Sequence, residues 1–299
     1  MEKVKNPAYR VLVPKHQGAD PWLSSGKVEI KEKVASDPFR VAPEDKRIRT
    51  HERASTCESL VAVYPDAITI GGPLGSGEDR GGAFMGLFLI AFMSYLIYFI
   101  FENFMDPWYM GTPFLFSCMF LFFGGIRIIK SGCMMPKDQP VIFDRKNRVV
   151  IFSRLKIHGH WDVLEIPKFV APVVVPWDSI GVRSFKITQF TGKTLRDNYR
   201  LEIWAPESNN ERPKLVAGPI GYLGWYEDEK LWQLYEHIRR YMEEDGPAIQ
   251  HGEALRVKRM GRDLQPFPDE ILASLGGPPL TDDEVKALAK TVPAQVFED

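Results

Sequence analysis

The sequence is poor in the residues that carry chemistry. Its 299 residues include three cysteines, Cys57, Cys118 and Cys133, and six histidines. The cysteines form neither a metal-ligand spacing nor a disulfide framework, which fits a reducing compartment. His158-Gly-His160 is the one paired histidine motif. Alternate strand positions share a face, yet no third ligand lies nearby, so loop histidines without a metal are expected. Ser153, Ser179 and Ser184 lack a Gly-x-Ser-x-Gly setting, which leaves a hydrolase without a nucleophile elbow. Gly71-Gly-Pro-Leu-Gly-Ser-Gly77 lacks the closing Gly-Lys-Ser/Thr of a phosphate loop and reads as a flexible linker. A net charge of −1 offers no bulk attraction to nucleic acid. The first residues, Met-Glu-Lys-Val-Lys-Asn-Pro, contain no apolar core of a signal peptide, so none is expected to be cleaved. No catalytic, cofactor-binding or metal-binding residue is assigned, and no cofactor is expected.

What the chain does have is a pair of uncharged runs, residues 81–101 and 107–126. A helix needs about 20 apolar residues to cross the hydrocarbon of a bilayer, and each run is long enough. Core helices of a water-soluble fold rarely stay apolar on every face for this length. The spacing predicts a transmembrane hairpin over 81–126, with spans near 83–103 and 107–127. The short connection carries Glu102 and Asp106, whereas Arg80, Arg127, Lys130, Lys137, Arg145 and Lys146 flank the other ends. Positive flanks stay cytoplasmic, so both termini are expected in the cytoplasm. Trp108 and Tyr109 suit the headgroup layer, and Gly86, Gly124 and Gly125 suit close helix approach. The spans hold no ionisable residue, which favours an anchor over a conduit.

Around the hairpin the pattern is β-like. Residues 60–64 and 67–70 flank Pro65-Asp66, and residues 140–143 and 148–153 flank Asp144-Arg-Lys-Asn147; each pair reads as a β-hairpin. Residues 169–175, 182–188, 199–204 and 214–217 are further strand candidates. A helix is expected from Trp225 to about Glu243, with Leu231, Leu234, Tyr235, Ile238, Tyr241 and Met242 on one face. The acidic residues Glu227, Asp228 and Glu229 fit its first turn. Trp161 and Trp177 read as packing anchors. Residues 1–55 are polar and proline-punctuated, an extended arm lying on the domain. Its basic cluster of Lys46, Arg47, Arg49, His51 and Arg53 reads either as a contact for anionic headgroups or as a solvated face. Residues 246–299 form a tail with short helices, one opened by a capping box, Thr281 with Glu284.

Two segments carry a resemblance: Pro140-Val-Ile-Phe-Asp-Arg-Lys-Asn-Arg-Val-Val150 and Val175-Pro-Trp-Asp-Ser-Ile180, ordered behind such a hairpin. Over roughly residues 55–245 the chain resembles uncharacterised two-span bacterial inner-membrane proteins encoded beside type VI secretion toxins, a group that includes candidate immunity proteins. Strands followed by one C-terminal helix also resemble the pleckstrin-homology-like domains of bacterial membrane proteins. The resemblance implies a membrane α-helical hairpin inserted into an α+β cytoplasmic domain, 56–80 and 137–245. That domain would be an antiparallel sheet or open barrel with one C-terminal helix. It also implies a non-enzymatic, multi-pass protein of the bacterial inner membrane that binds a toxin or secretion component. The alternatives are a lipid-binding scaffold and, less favoured, a membrane enzyme.

Overall fold

A computed structural model describes residues 11–28, 37–73, 79–103, 108–136, 138–156, 165–190, 194–207, 213–225, 228–257, 262 and 264–295. The fold is α+β, with two antiparallel sheets, a helix packed against both, and a pair of long apolar helices. The larger sheet has strand order β2-β3-β4-β5-β6, formed by β2 (Leu60–Val63), β3 (Ala67–Ile70), β4 (Val141–Asp144), β5 (Val149–Lys156) and β6 (Lys168–Pro176). The smaller has order β1-β7-β8-β9. It contains β1 (Arg40–Val41), β7 (Gly181–Phe190), β8 (Leu195–Glu207) and β9 (Lys214–Trp225).

Alternation along the strands decides which side chains meet. Ile68, Ile70, Val141, Phe143, Val150 and Phe152 point inward and join Leu201, Ile203 and Ile220 of the smaller sheet in one core. Ala67, Ile142 and Ile151 point outward, yet they too are buried. Phe267 and Leu275, together with Ile271 and Leu272 of the short helix α5 (Asp269–Ser274), cover them. That second layer is why β3 and β4 are buried at every position.

Helix α4 (Glu229–Glu243) lays Leu231, Trp232, Leu234, Tyr235, Ile238, Tyr241 and Met242 into the core. The expected start at Trp225 is corrected here. β9 continues to Trp225, which pairs with Asn198, and the helix begins after Asp228 at its N-cap. The sheet partner holds those residues extended where local periodicity favours a helix.

The arm and the tail both reach the core. A short helix α1 (Pro21–Ser24) seats Trp22 against Phe185 and Trp204. Strand β1 pairs with β7, Arg40 opposite Ser184. From the tail, Ile249 and two residues of α6 (Asp282–Thr291), Val285 and Ala289, are buried in the main core. The Arg256 N–H donates to the Leu60 carbonyl (2.7 Å) and the Leu280 N–H to that of Val63 (2.8 Å), so the tail occupies the outer edge of β2. The expected capping box at Thr281 and Glu284 is present.

Between β3 and β4 lie α2 (Asp79–Asn103) and α3 (Trp108–Cys133). Within them, Phe84–Asn103 and Thr112–Lys130 are long and apolar enough to cross a membrane. Met93, Ile100 and Cys118 are buried between the two helices, while Phe84, Phe88, Tyr95, Phe114, Phe116 and Phe120 face outward. Gly86 and Gly125 make the close crossing. A Cβ on Gly86 would lie 2.8 Å from the Gly125 carbonyl oxygen, and one on Gly125 would lie 2.8 Å from Ile90 Cγ1. Gly124 differs, because nothing lies within 4 Å of its Cβ position. Gly125→Leu is therefore expected to push the helices apart and lower stability by about 1–3 kcal/mol. Gly124→Leu should be near neutral. Thermal unfolding of both variants in detergent micelles checks the contrast, and equal effects would count against it.

Candidate functional site

Two of the segments singled out in the sequence meet in space. The turn between β4 and β5 is closed by Asp144, whose carboxylate accepts from the Asn147 N–H (2.9 Å) and side-chain amide (2.7 Å). It ends on Arg148 at φ +52°, a conformation that non-glycine residues adopt rarely. Arg148 is held there from both sides. Its backbone carbonyl accepts from the Trp177 N–H (2.9 Å), and its Nη2 donates to Asp178 (2.8 Å) and Glu243 (2.9 Å). Trp177 sits in the 3-10 turn Trp177–Ser179, stacks edge-on to Phe143 with centroids 6.2 Å apart, and donates its indole N–H to Glu243. The Asp-Arg-Lys-Asn turn and the Trp-Asp-Ser segment thus form one cluster closed by the end of α4.

Beside this cluster the arm encloses a cavity of about 310 Å3, lined by Trp22, Lys27, Val41, Pro43, Lys46, Ile180 and Arg183 among others. The Arg183 guanidinium is fully buried, 4.3 Å from the ring centroids of both Trp22 and Trp204. Its Nε and Nη2 donate to Asp20, the residue that also caps α1 by accepting from the Trp22 N–H (2.8 Å). Among the described residues Arg183 Nη1 has no hydrogen-bond partner. Lys46, expected at the surface, is only 8% exposed. Its ammonium donates to the Asp178 carbonyl (3.1 Å) and lies 5.5 Å from the centre of the Trp177 ring. Burial lowers its pKa despite the nearby Asp178 and Glu243 carboxylates. Arg47 and Arg49 of the same basic cluster remain exposed.

The third concentration of charge is on the side of α4 that the arm covers. Glu236 is fully buried and accepts from Arg239, Arg240, and the N–H and hydroxyl of Thr50. These donors outweigh desolvation and hold its carboxyl below the usual range. Asp228 pairs with Arg40 at 2.7 Å and accepts from Trp232 Nε1. The acidic start of α4 therefore clamps the arm as well as serving the helix end.

His51 and His237 are buried near this network, and burial pulls both pKa values from 6.5 to about 4. His237 Nδ1 lies 2.9 Å from Gln250 Nε2 and faces Glu253 and Arg240. A histidine with a depressed folded pKa stays neutral in the native state while the unfolded chain takes up a proton. Stability is then fully present above about pH 6.5 and is lost as pH falls toward 4. For His237 the slope is at most about 1.4 kcal/mol per pH unit. Urea unfolding midpoints between pH 7.5 and 5 should fall in this window, and His237→Gln should flatten the curve.

The remaining sequence candidates divide simply. Ser153 is buried and donates to the Pro140 carbonyl (2.6 Å), and the Ser179 hydroxyl donates to that of Pro176 (2.8 Å). Ser184 is buried in β7, its hydroxyl without a hydrogen-bond partner among the described residues. Burial raises the pKa of Cys57 to about 11, which leaves it a poor nucleophile. His158, His160 and Trp161 lie outside the described residues, as does part of the glycine linker. Among the described residues no group of three or more His, Cys, Asp or Glu is placed to hold a metal ion. Sequence reading missed Asp20, Arg40, Arg183 and Glu236, each of which has a partner far along the chain: Asp20 with Arg183, Arg40 with Asp228 and Glu236 with Thr50. Comparison with protein-family models, curated proteins and solved structures finds no match to the chain.

Proposed function

We propose that this chain is a non-enzymatic protein of the bacterial inner membrane, with the α2–α3 hairpin crossing the bilayer and both termini in the cytoplasm. On this reading the two sheets and α4 form a pleckstrin-homology-like domain that captures a protein partner. The partner class is a type VI secretion toxin or an associated component, with the chain serving as immunity or accessory protein. The observation that carries the reading is the hairpin itself. Its outward face carries Phe, Leu, Met and Tyr along both helices, whereas the sheets bury most of their apolar residues, with Val170, Val174, Phe190 and Leu195 as exposed exceptions. Water is an unfavourable solvent for such a surface and a bilayer a favourable one. The hairpin also joins two strands paired in register, Ile70 opposite Val141, so an inserted hairpin would hold the domain directly on the membrane face. Protease accessibility in inverted membrane vesicles tests the topology, and termini protected on the cytoplasmic side would overturn it. Co-expression with a neighbouring toxin tests the partner. Neither rescue nor co-purification would end that reading.

A specific observation favours a second reading, lipid contact by the domain. Lys156 of β5 lies directly opposite Lys168 of β6, a like-charge cross-strand pair that is unfavourable by itself. Both are exposed, and Lys130 near the end of α3 donates to the Glu165 carbonyl close by (3.4 Å). An anionic headgroup layer at that level would relieve the repulsion. Lys156→Glu with Lys168→Glu should weaken preference for anionic over neutral nanodiscs in full-length protein, and an unchanged preference would dismiss this reading.

A further inference from the structure

The C-terminal tail is tied at two points to the roots of the α2–α3 hairpin. At the first, Arg256 gathers both roots. Its backbone N–H holds the edge of β2 at Leu60, as described above. Its guanidinium donates to the Gly72 carbonyl (3.1 Å) ahead of α2 and to the Asp138 carboxylate (2.7 Å) after α3. Asp138 in turn accepts from the Gly72 N–H (2.7 Å). Gly71 makes the room, because a Cβ there would strike both the Arg256 guanidinium and Asp138. At the second point the Arg262 N–H donates to the Met135 carbonyl (3.2 Å), and Arg262 forms a parallel bridge with Pro136. Val257 adjoins the first point and Arg262 is the second, so both are held at the hairpin root.

We infer that the tail is an interfacial strap, with Val257 and Arg262 seated in an anionic headgroup layer on the cytoplasmic side. The inference rests on the reading that α2 and α3 cross the bilayer. Depth favours it. From Lys130, where the apolar stretch of α3 ends, the helix rises only about 5 Å to Cys133. Met135 follows two residues on, and the headgroup layer is about 5–7 Å thick on each side of the hydrocarbon. Met135 therefore lies at the outer rim of that layer, within reach of a long arginine side chain. Val257 is 87% exposed, more than Phe84 on the outward side of α2 at 74%, and supplies the apolar contact. Charge selects the lipid. Asp138 is already spent on Arg256 and Gly72. Among the described side chains at this end of the domain, Arg262, Lys130, Lys156 and Lys168 then outnumber the exposed acids Glu58 and Glu165. An excess of cations at a cytoplasmic membrane face attracts anionic headgroups.

The test uses full-length protein in nanodiscs of phosphatidylcholine, with and without phosphatidylglycerol. A fluorophore is placed singly on Phe92→Cys, Val257→Cys or Lys146→Cys after the native cysteines are replaced by serine, and nitroxide lipids quench it. Phe92 faces outward within α2, and Lys146 lies on the β4–β5 turn, at the end of those strands away from the hairpin. Acyl-chain nitroxides should quench at Phe92, which reads the hairpin. Headgroup nitroxides should quench at Val257 severalfold more than at Lys146, and more strongly with phosphatidylglycerol present. Arg262→Gln should cut that anionic preference about fivefold, the weight of one basic residue at a charged surface. Gly71→Ala, which pushes Arg256 off Asp138, should lower quenching at Val257 and leave Phe92 unchanged. In the parent protein, free of any variant, amide exchange in the tail peptide containing Val257 and Arg262 should slow when phosphatidylglycerol is added. No quenching at Phe92 would remove the hairpin reading and the strap together. Quenching at Phe92 with Val257 no different from Lys146, or with quenching and exchange indifferent to lipid charge, would overturn the strap alone.

Discussion

Asp20→Ala is expected to lower stability by about 3–5 kcal/mol and to release the N-terminal arm. The change removes the one carboxylate, among the described residues, bonded to a guanidinium that is fully buried between two indole rings. Cation–π attraction to Trp22 and Trp204 remains, but each such contact is worth only about 1–2 kcal/mol and does not replace a desolvated counter-ion. The cap on α1 goes with it, a further loss of about 1 kcal/mol. Asp20→Asn should fall between, because the amide oxygen still accepts from Trp22 while the charge is gone. Arg183→Met in the Asp20→Ala background should recover much of the loss, since no buried charge is then left unpaired. Urea unfolding and limited proteolysis within residues 11–55 measure the effects. A loss below 1 kcal/mol with the arm still protected would show that the pair contributes little.

The second large effect is expected at Glu236. Alanine there leaves Arg239 fully buried with, among the described residues, only the Glu244 carboxylate and a backbone oxygen as acceptors, and frees the N–H and hydroxyl of Thr50. Because Arg239 keeps the Glu244 carboxylate, the loss is expected at the lower end of the range for a broken buried pair, about 3 kcal/mol. Glu236→Gln keeps the shape and some hydrogen bonds and should be milder. The carboxyl's folded pKa is depressed, so its contribution is present above the unfolded value and disappears as pH falls through the folded one. The penalty of the variant should therefore shrink below about pH 4, and a pH-independent penalty would contradict this account.

Local structure was readable where local chemistry dictates it. The apolar runs, the Pro65-Asp66 turn, the Asp144–Asn147 turn and the Thr281 cap each rest on residues a few positions apart. Arg183 and Asp20 are 163 residues apart, Arg40 and Asp228 188, and Thr50 and Glu236 186. No periodicity announces such pairs. The arm consequently looked like polar chain laid on a domain, although Val13, Trp22 and Ala42 lie buried in cores. Trp225 shows the opposite error. Its sequence favours a helix, but pairing with Asn198 keeps it in β9. The cavity was unreadable for the same reason, since its walls come from three separate stretches, residues 21–27, 41–46 and 178–183.

The crossing of Gly86 and Gly125 bears on how the sheet closes. β3 and β4 are neighbours in register, yet all of α2 and α3 is synthesised between them. A flexible connection of that length would add loop-closure entropy to every attempt at pairing. Two antiparallel helices held in contact return the chain to its point of departure and make the connection behave as a short one. Three of the five strands of the larger sheet, β4, β5 and β6, follow the helices in the chain. A bulky residue at the glycine crossing should therefore slow strand closure, even where the finished sheet is unaltered.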